Sequence, residues 1–179
     1  MKTIHTMFGR LWRRWLALSM LVLMTACATG PQVVSHGFSF NGLNDKWAES
    51  VDLLAYAYGD GYDKLRDDLE KPRTPLFAGK PSLPKGESIY GPMPVGSYLY
   101  VKWRLKTSGK VLEQRVDLRD RLPQDMSGHE LTFVIDGRQL YVYVVTPRRK
   151  KSADESPVLK TWRSEFAHAY EIFPTLRKP

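Results

Sequence analysis

The spacing of apolar and polar residues predicts short β-strands along most of the chain. Apolar and polar side chains alternate over residues 97–106 and again over residues 111–118, with turn-forming residues between. Such alternation is typical of strands with one buried face, so these segments predict a β-hairpin. On its polar side, Lys102, Arg104 and Lys106 are expected to lie near Glu113 and Asp117, where opposite charges help to fix the register.

A second hairpin is predicted around Asp136-Gly137, a dipeptide favoured in two-residue turns. Apolar and β-branched residues flank it at 131–135 and 138–145. The pattern favours pairing of Phe133 with Leu140 and of Leu131 with Val142. Tyr141 and Tyr143 then lie on the opposite face.

Three more segments are interpreted as strands. Residues 33–40 suit an edge strand, and residues 49–58 are apolar on both faces, as in a buried central strand. Residues 164–173 fit either a helix or a strand, and the surrounding β elements favour a strand. Residues 62–70 have helical spacing and predict one short helix.

Residues 71–94 contain six prolines and three glycines, which predicts a long loop because neither a helix nor a central strand accommodates that density. Together these elements predict a mainly β fold. The expected architecture is an antiparallel β-sandwich of about seven strands, the size of an immunoglobulin domain.

The beginning of the chain has a different pattern. Residues 1–14 carry four basic residues and no acidic one, residues 15–24 are almost entirely apolar, and residues 25–30 are small. This order is typical of a secretory signal peptide. The apolar run is shorter than the roughly 18 residues of a membrane-spanning helix, and it lacks the polar stripe of an amphipathic helix.

Cys27 is the single cysteine of the chain. The segment Met24-Thr25-Ala26-Cys27 resembles the lipobox of bacterial envelope lipoproteins, with Met24 where leucine is commonest. The resemblance covers residues 1 to about 30 and implies cleavage between Ala26 and Cys27, followed by lipidation of the cysteine. Ala28 after the cysteine, by the sorting pattern of that class, favours the outer membrane over the inner one.

Removal of the leader changes the charge of the protein. The leader holds four basic residues, so the formal net charge falls from +8 to +4. We expect a lipidated tether at residues 27–36 and a single domain at residues 37–179. The mild net positive charge of this domain does not indicate nucleic-acid binding.

The densest basic run of the domain is residues 148–151. It suits a solvated loop between strands, or contact with anionic lipid headgroups or another envelope polyanion.

Candidate chemistry is sparse in the rest of the sequence. His36, His129 and His168 are not spaced as a metal pair, and His168 fits a half-buried structural residue. The acidic residues between 60 and 70 are interspersed with Lys64 and Arg66 and suit a solvated helix face. No serine stands in a nucleophile elbow, so the sequence predicts no catalytic residue, metal or cofactor.

Aromatic side chains offer the remaining functional signal. Tyr98, Tyr100, Tyr141 and Tyr143 lie on the less apolar sides of the two hairpins. Tyrosine provides a large amphipathic contact, so these four residues form a candidate interaction surface. The alternative is that another part of the fold covers them.

These observations favour a lipid-anchored, non-enzymatic binding module of the cell envelope. Its expected partners are the bilayer, through the lipid on Cys27, and an envelope protein. Two alternatives stay open: a periplasmic immunity protein that neutralises a toxic effector, and an envelope hydrolase.

Overall fold

Nine strands form two sheets in a computed structural model, which describes residues 32–151 and 159–175. The five-stranded sheet has the order β4-β1-β7-β8-β9, and the four-stranded sheet has the order β3-β2-β5-β6. The strands are β1 (Val33–Asn41), β2 (Val51–Tyr58), β3 (Arg66–Asp68), β4 (Gly86–Pro94), β5 (Tyr98–Leu105), β6 (Val111–Asp117), β7 (Glu130–Asp136), β8 (Gln139–Arg149) and β9 (Ala167–Phe173).

The two sheets meet through aromatic side chains. Phe38 and Phe40 of β1 point inward, as do Tyr58 of β2 and Phe133 of β7, and all four are buried. Across the two sheets, the rings of Phe38 and Tyr58 stack 5.3 Å apart, and those of Phe40 and Tyr56 meet edge to face at 5.0 Å. Such ring pairs add to the free energy gained from burying apolar area, so the alternating aromatic residues of the sequence hold the sandwich together.

The mainly β sandwich predicted from the sequence is confirmed. The first hairpin is β5–β6, and β2 is the predicted central strand, between β3 and β5. The strand interpretation of the last element is also confirmed, since β9 pairs with β8.

Several local predictions differ from the structure. Residues 62–70 form only a 3-10 turn, Asp63–Leu65, followed by the short strand β3. Residues 71–85 are the predicted loop, whereas residues 86–94 form β4. This strand pairs only with β1, so β4 is the edge strand and β1 is interior. Prolines are accepted there because an edge strand leaves one row of its backbone N–H positions unpaired.

The predicted register of the second hairpin is off by two residues. Phe133 pairs with Val142, and Ile135 pairs with Leu140. The loop residues are Gly137 and Arg138 rather than Asp136 and Gly137, with Gly137 at φ 55°. A two-residue shift preserves which side chains face inward.

The expected charge pairs of the first hairpin are also different. Lys102 lies opposite Glu113 in the register, but its ammonium group faces Glu70 at 3.4 Å. The side chains of Arg104 and Lys106 approach Asp52 of β2 at 2.9 and 3.7 Å. Asp117 pairs with Arg119. Asp52 of β2 therefore competes with β6 for Arg104 and Lys106, and Glu70 after β3 competes with it for Lys102.

Candidate functional site

A cleft of about 670 Å³ lies at the end of the five-stranded sheet where β8 finishes and β9 starts. One wall is the end of β8. The other is a capping segment, residues 159–166, which lies over the outer face of this sheet. Arg149, Trp162, Arg163 and Phe166 are among the lining residues, and Glu130 also borders the cleft.

Polar contacts hold the capping segment in place. Lys160 donates to Asp136 at 2.6 Å, and its ammonium group lies 5.1 Å from the centre of the Tyr141 ring. The backbone N–H of Trp162 donates to Oδ1 of Asp45 at 2.8 Å. Ser164 is buried and its hydroxyl donates to the carbonyl of Thr161. These contacts fix the wall of the cleft without a long helix or strand.

Arg163 joins this wall to the sheet. Its guanidinium lies 2.9 Å from Oε1 of Glu130 and donates to the Ser39 hydroxyl at 3.1 Å. The Ser39 hydroxyl in turn donates to Glu130. Glycine at position 37 makes room for this network, because a Cβ there would lie 2.9 Å from Cγ of Glu130.

The basic run continues β8 rather than forming a loop between strands. Arg148 and Arg149 are the last residues of β8, and Arg149 pairs with Ala167 of β9. The N–H of Lys150 then donates to the carbonyl of Phe166 at 3.1 Å. Its ammonium group donates to the carbonyl of Ser164. Backbone pairing therefore holds the basic run against the capping segment.

Two aromatic rings complete the cleft. Trp162 and Phe166 meet edge to face at 5.8 Å, and the guanidinium of Arg163 lies 4.7 Å from the Trp162 ring. Phe166 is 59% exposed. The lining contains four basic residues and two acidic ones, one of which is already paired with Arg163. A cationic cleft with an exposed aromatic ring suits an anionic ligand that also has an apolar part.

Sequence reasoning missed the capping segment as a wall of this cleft. The signal that could have revealed it is the order Trp162-Arg163-Ser164-Glu165-Phe166, a short distance after the basic run. An aromatic pair with an arginine between its members brings cationic and apolar groups together.

The four candidate tyrosines lie on two different sheets. Tyr98 and Tyr100 belong to β5, and Tyr141 and Tyr143 belong to β8. Tyr143 is only 1% exposed and Tyr98 only 8%. The structure therefore does not bring the four residues together as one surface.

Specific neighbours occupy these tyrosines. Tyr98 donates to Asp60 at 2.5 Å, and the guanidinium of Arg115 lies 3.3 Å from the centre of its ring. Tyr100 donates to Glu113 at 2.6 Å. Burial, followed by the nearby charge of Glu171, raises the pKa of Tyr143 above its ordinary value. Binding of a partner by any of the four tyrosines stays a prediction.

The histidines occupy three separate environments. His36 lies in β1 rather than on a tether and is fully buried, while His129 precedes β7 and His168 is half-buried in β9. Nδ1 of His36 donates to the carbonyl of Val34 at 2.9 Å, and Nε2 lies 3.0 Å from the Tyr58 hydroxyl. Burial lowers the pKa of His36, so its neutral form is favoured.

The acidic residues between 60 and 70 shape a turn rather than a helix face. Asp67 is buried, and its Oδ1 accepts the N–H groups of Asp68 and Arg73 at 3.0 and 2.8 Å. Within residues 32–151 and 159–175, no group of three His, Cys, Asp or Glu side chains is placed to hold a metal ion.

Asp45 has the most unusual carboxyl group near the capping segment. Its Oδ1 accepts the Trp162 N–H, whereas Oδ2 is buried and finds no hydrogen-bond partner among the described residues. Burial raises the pKa of Asp45 to about 6, although the Trp162 N–H acts in the opposite direction. A partly buried carboxylate with one unpaired oxygen is costly, which favours its protonated form.

The predicted cleavage and lipidation residues, Ala26 and Cys27, lie outside the described part of the chain. No described helix is long and apolar enough to cross a membrane. Comparison with known proteins gives no matching family model, no matching curated protein and no matching solved structure.

Proposed function

We propose that this protein is a bacterial envelope lipoprotein whose β-sandwich domain binds a partner without catalysing a reaction. The observation that carries the proposal is the position of Cys27. The only cysteine of the chain directly follows a basic and then apolar leader, at the end of a lipobox-like segment. Lipidation would use the one thiol, which an oxidising compartment would otherwise leave reactive.

The anchor would be durable. Each methylene buried in the bilayer contributes about 0.8 kcal/mol, and two or more acyl chains together give stable attachment. Ala28 favours the outer membrane as the site of this anchor. The domain would therefore act at the membrane surface rather than in free solution.

The cleft supports a binding role for the domain. Its basic and aromatic lining offers charge and apolar contact to one ligand. An ion pair to Glu130 of the sheet and a hydrogen bond to Asp45 in the loop after β1 hold the capping segment in place. A preorganised cleft of this kind loses little conformational entropy when it binds. Anionic groups are the ligand class that its charge favours.

Fractionation of bacterial envelopes tests the anchor. Cys27→Ser should move the protein out of the membrane fraction, whereas the matched control Thr29→Ser, which keeps the sulfur, should stay there. Equal membrane retention of both variants would contradict the proposal.

Crosslinking in intact envelopes tests the binding role. The wild type should capture a partner that Arg149→Glu fails to capture. Recovery of a toxic effector would favour the immunity alternative. Recovery of nothing, where control lipoproteins capture partners, would count against a binding module.

A further inference from the structure

The start of β1 and the basic run lie at the same end of the five-stranded sheet. Strands β1 and β7 are parallel, and Gly37 pairs with Glu130 at the start of β7. Glu130 also pairs with Val145, so the last residues of β8 extend past this end.

Direct contacts confirm this juxtaposition. The N–H of Gly128 donates to the carbonyl of Ser35 in β1 at 2.9 Å. A Cβ on Gly128 would lie 3.4 Å from the side chain of Pro147, which precedes the basic run. Ser35 and Pro147 thus both lie next to Gly128, although more than a hundred positions separate them in the chain.

Chain length keeps this end close to the lipid attachment point. Cys27 precedes Val33 by six residues. An extended chain covers at most about 3.6 Å per residue, so the attachment residue lies within about 22 Å of the start of β1. The opposite end of β1 is about 26 Å further along the strand, at roughly 3.3 Å per residue.

We propose that this end of the domain docks on the anionic headgroups of the bilayer that holds the Cys27 lipids. The proposal rests on the proposed function, because it requires the lipid anchor on Cys27. The exposed side chains of Arg148 and Arg149 face the phosphates. The exposed ring of Phe166 and the 59% exposed side chain of Val33 enter the interfacial region.

The surface at this end carries charges of both signs. Asp117 is paired with Arg119, whereas Asp60, Asp120, Asp125 and Glu165 are further acidic residues at this end. The proposal therefore depends on Arg148 and Arg149, which are both exposed. Lys110 and Arg138 lie at the other end of the strands. That end is beyond the Debye length of roughly 10 Å from the bilayer, so the membrane charge is screened there.

The test uses the full lipidated protein in vesicles. Because lipidation consumes Cys27, an introduced cysteine is the only thiol. Ser127→Cys places a fluorophore at the proposed docking end, and Ser108→Cys places it in the turn between β5 and β6, at the other end. Nitroxide-labelled lipid headgroups quench a nearby fluorophore, so the degree of quenching reports which end is close to the membrane. The measurement is made in vesicles with and without phosphatidylglycerol.

We expect stronger quenching at position 127 than at position 108 in phosphatidylglycerol vesicles, and a smaller difference in neutral vesicles or at high salt. Each basic side chain near an anionic surface should change the ratio of docked to undocked protein by about fivefold. Arg148→Glu with Arg149→Glu should therefore abolish the difference. Lys110→Glu with Arg138→Glu, the same charge change at the other end, should preserve it.

Equal quenching at positions 127 and 108 on floated vesicles would overturn the docking proposal and leave the anchor intact. A difference of the same size in neutral vesicles would overturn it as well, because charge would not be the cause. Failure of the protein to float with the vesicles would overturn both the anchor and the docking proposal.

Discussion

The backbone N–H of Trp162 donates to the carboxylate of Asp45, so a loop after β1 holds a segment 117 residues later in the chain. This bond places the aromatic wall of the cleft over the five-stranded sheet. The same carboxylate is partly buried, and its second oxygen is unpaired among the described residues. The geometry of the cleft and the protonation of Asp45 are therefore coupled.

Asp45→Asn should change how stability depends on pH. The pKa of Asp45 is about 6 in the folded protein, against an ordinary value of 3.8 that applies to the unfolded chain. The folded state therefore binds the proton more tightly. Folding stability from this group is present below pH 4 and is lost as the pH rises through 6. The free energy of unfolding of Asp45→Asn, relative to that of the wild type, should therefore be about 1 to 3 kcal/mol higher at pH 7.5 than at pH 4. Urea unfolding at both pH values measures the difference.

Asp125→Asn is the control for this prediction. The Ser127 hydroxyl and N–H lower the pKa of Asp125, so its contribution to stability has the opposite dependence on pH. A similar gain in both variants, or a constant offset for Asp45→Asn, would contradict a raised pKa at Asp45.

Tyr58→Phe should destabilise the core. The Tyr58 hydroxyl lies 3.0 Å from Nε2 of the fully buried His36. Loss of the hydroxyl leaves the ring nitrogen without its donor, at a cost of about 1 to 3 kcal/mol. Thermal unfolding of this variant should be compared with that of Tyr90→Phe, which changes an exposed ring. Equal stability of the two variants would contradict the assigned hydrogen bond.

Gly96→Ala should destabilise the same region by overpacking. A Cβ at position 96 would overlap the ring of Tyr58, which stacks on Phe38 in the core. Forced shifts of this kind cost about 1 to 3 kcal/mol. Gly109→Ala provides a comparison, because it strains a backbone at φ 69° but meets no atom within 4 Å. If denaturant unfolding showed Gly96→Ala to be as stable as the wild type, the overpacking prediction would be contradicted. The loop that contains Gly96 would then have moved away from the Tyr58 ring.

Arg163→Ala should loosen the capping segment. It removes the contacts of Arg163 with Glu130 and Ser39 and leaves a partly buried carboxylate unpaired. We expect the free energy of unfolding to fall by about 1 to 3 kcal/mol and the amide hydrogens of residues 159–166 to exchange faster with solvent. Arg119→Ala, which breaks an exposed pair with Asp117, should leave the free energy of unfolding nearly unchanged, because solvent screens such pairs. Unchanged exchange in Arg163→Ala would show that Asp45 and Lys160 suffice to hold the segment.

Local patterns predicted the elements whose burial repeats regularly along the chain. Strand β5 alternates because Leu99, Val101 and Trp103 all face the core, and β6 continues the pattern on the adjacent strand. The apolar run of β2 indicated a central strand for the same reason. In these elements the sequence and the tertiary structure demand the same spacing.

Long-range pairing decided the elements that the sequence did not reveal. β4 contains Pro92 and Pro94 and is a strand only because β1, some fifty residues earlier, pairs along its whole length. Tyr143 appeared to be on an open face, yet the capping segment at residues 159–166 packs over that face. The cleft depends on the same segment, so no local pattern in the basic run could predict it.

The mass of the mature protein purified from bacterial membranes tests the central claim most directly. A polypeptide that begins at Cys27 and carries a diacylglycerol group on sulfur, with or without a further acyl chain on the new amino group, is the predicted result. A mature protein of unmodified mass, or a chain that still contains residues 1–26, would contradict the lipid anchor and the membrane docking that depends on it.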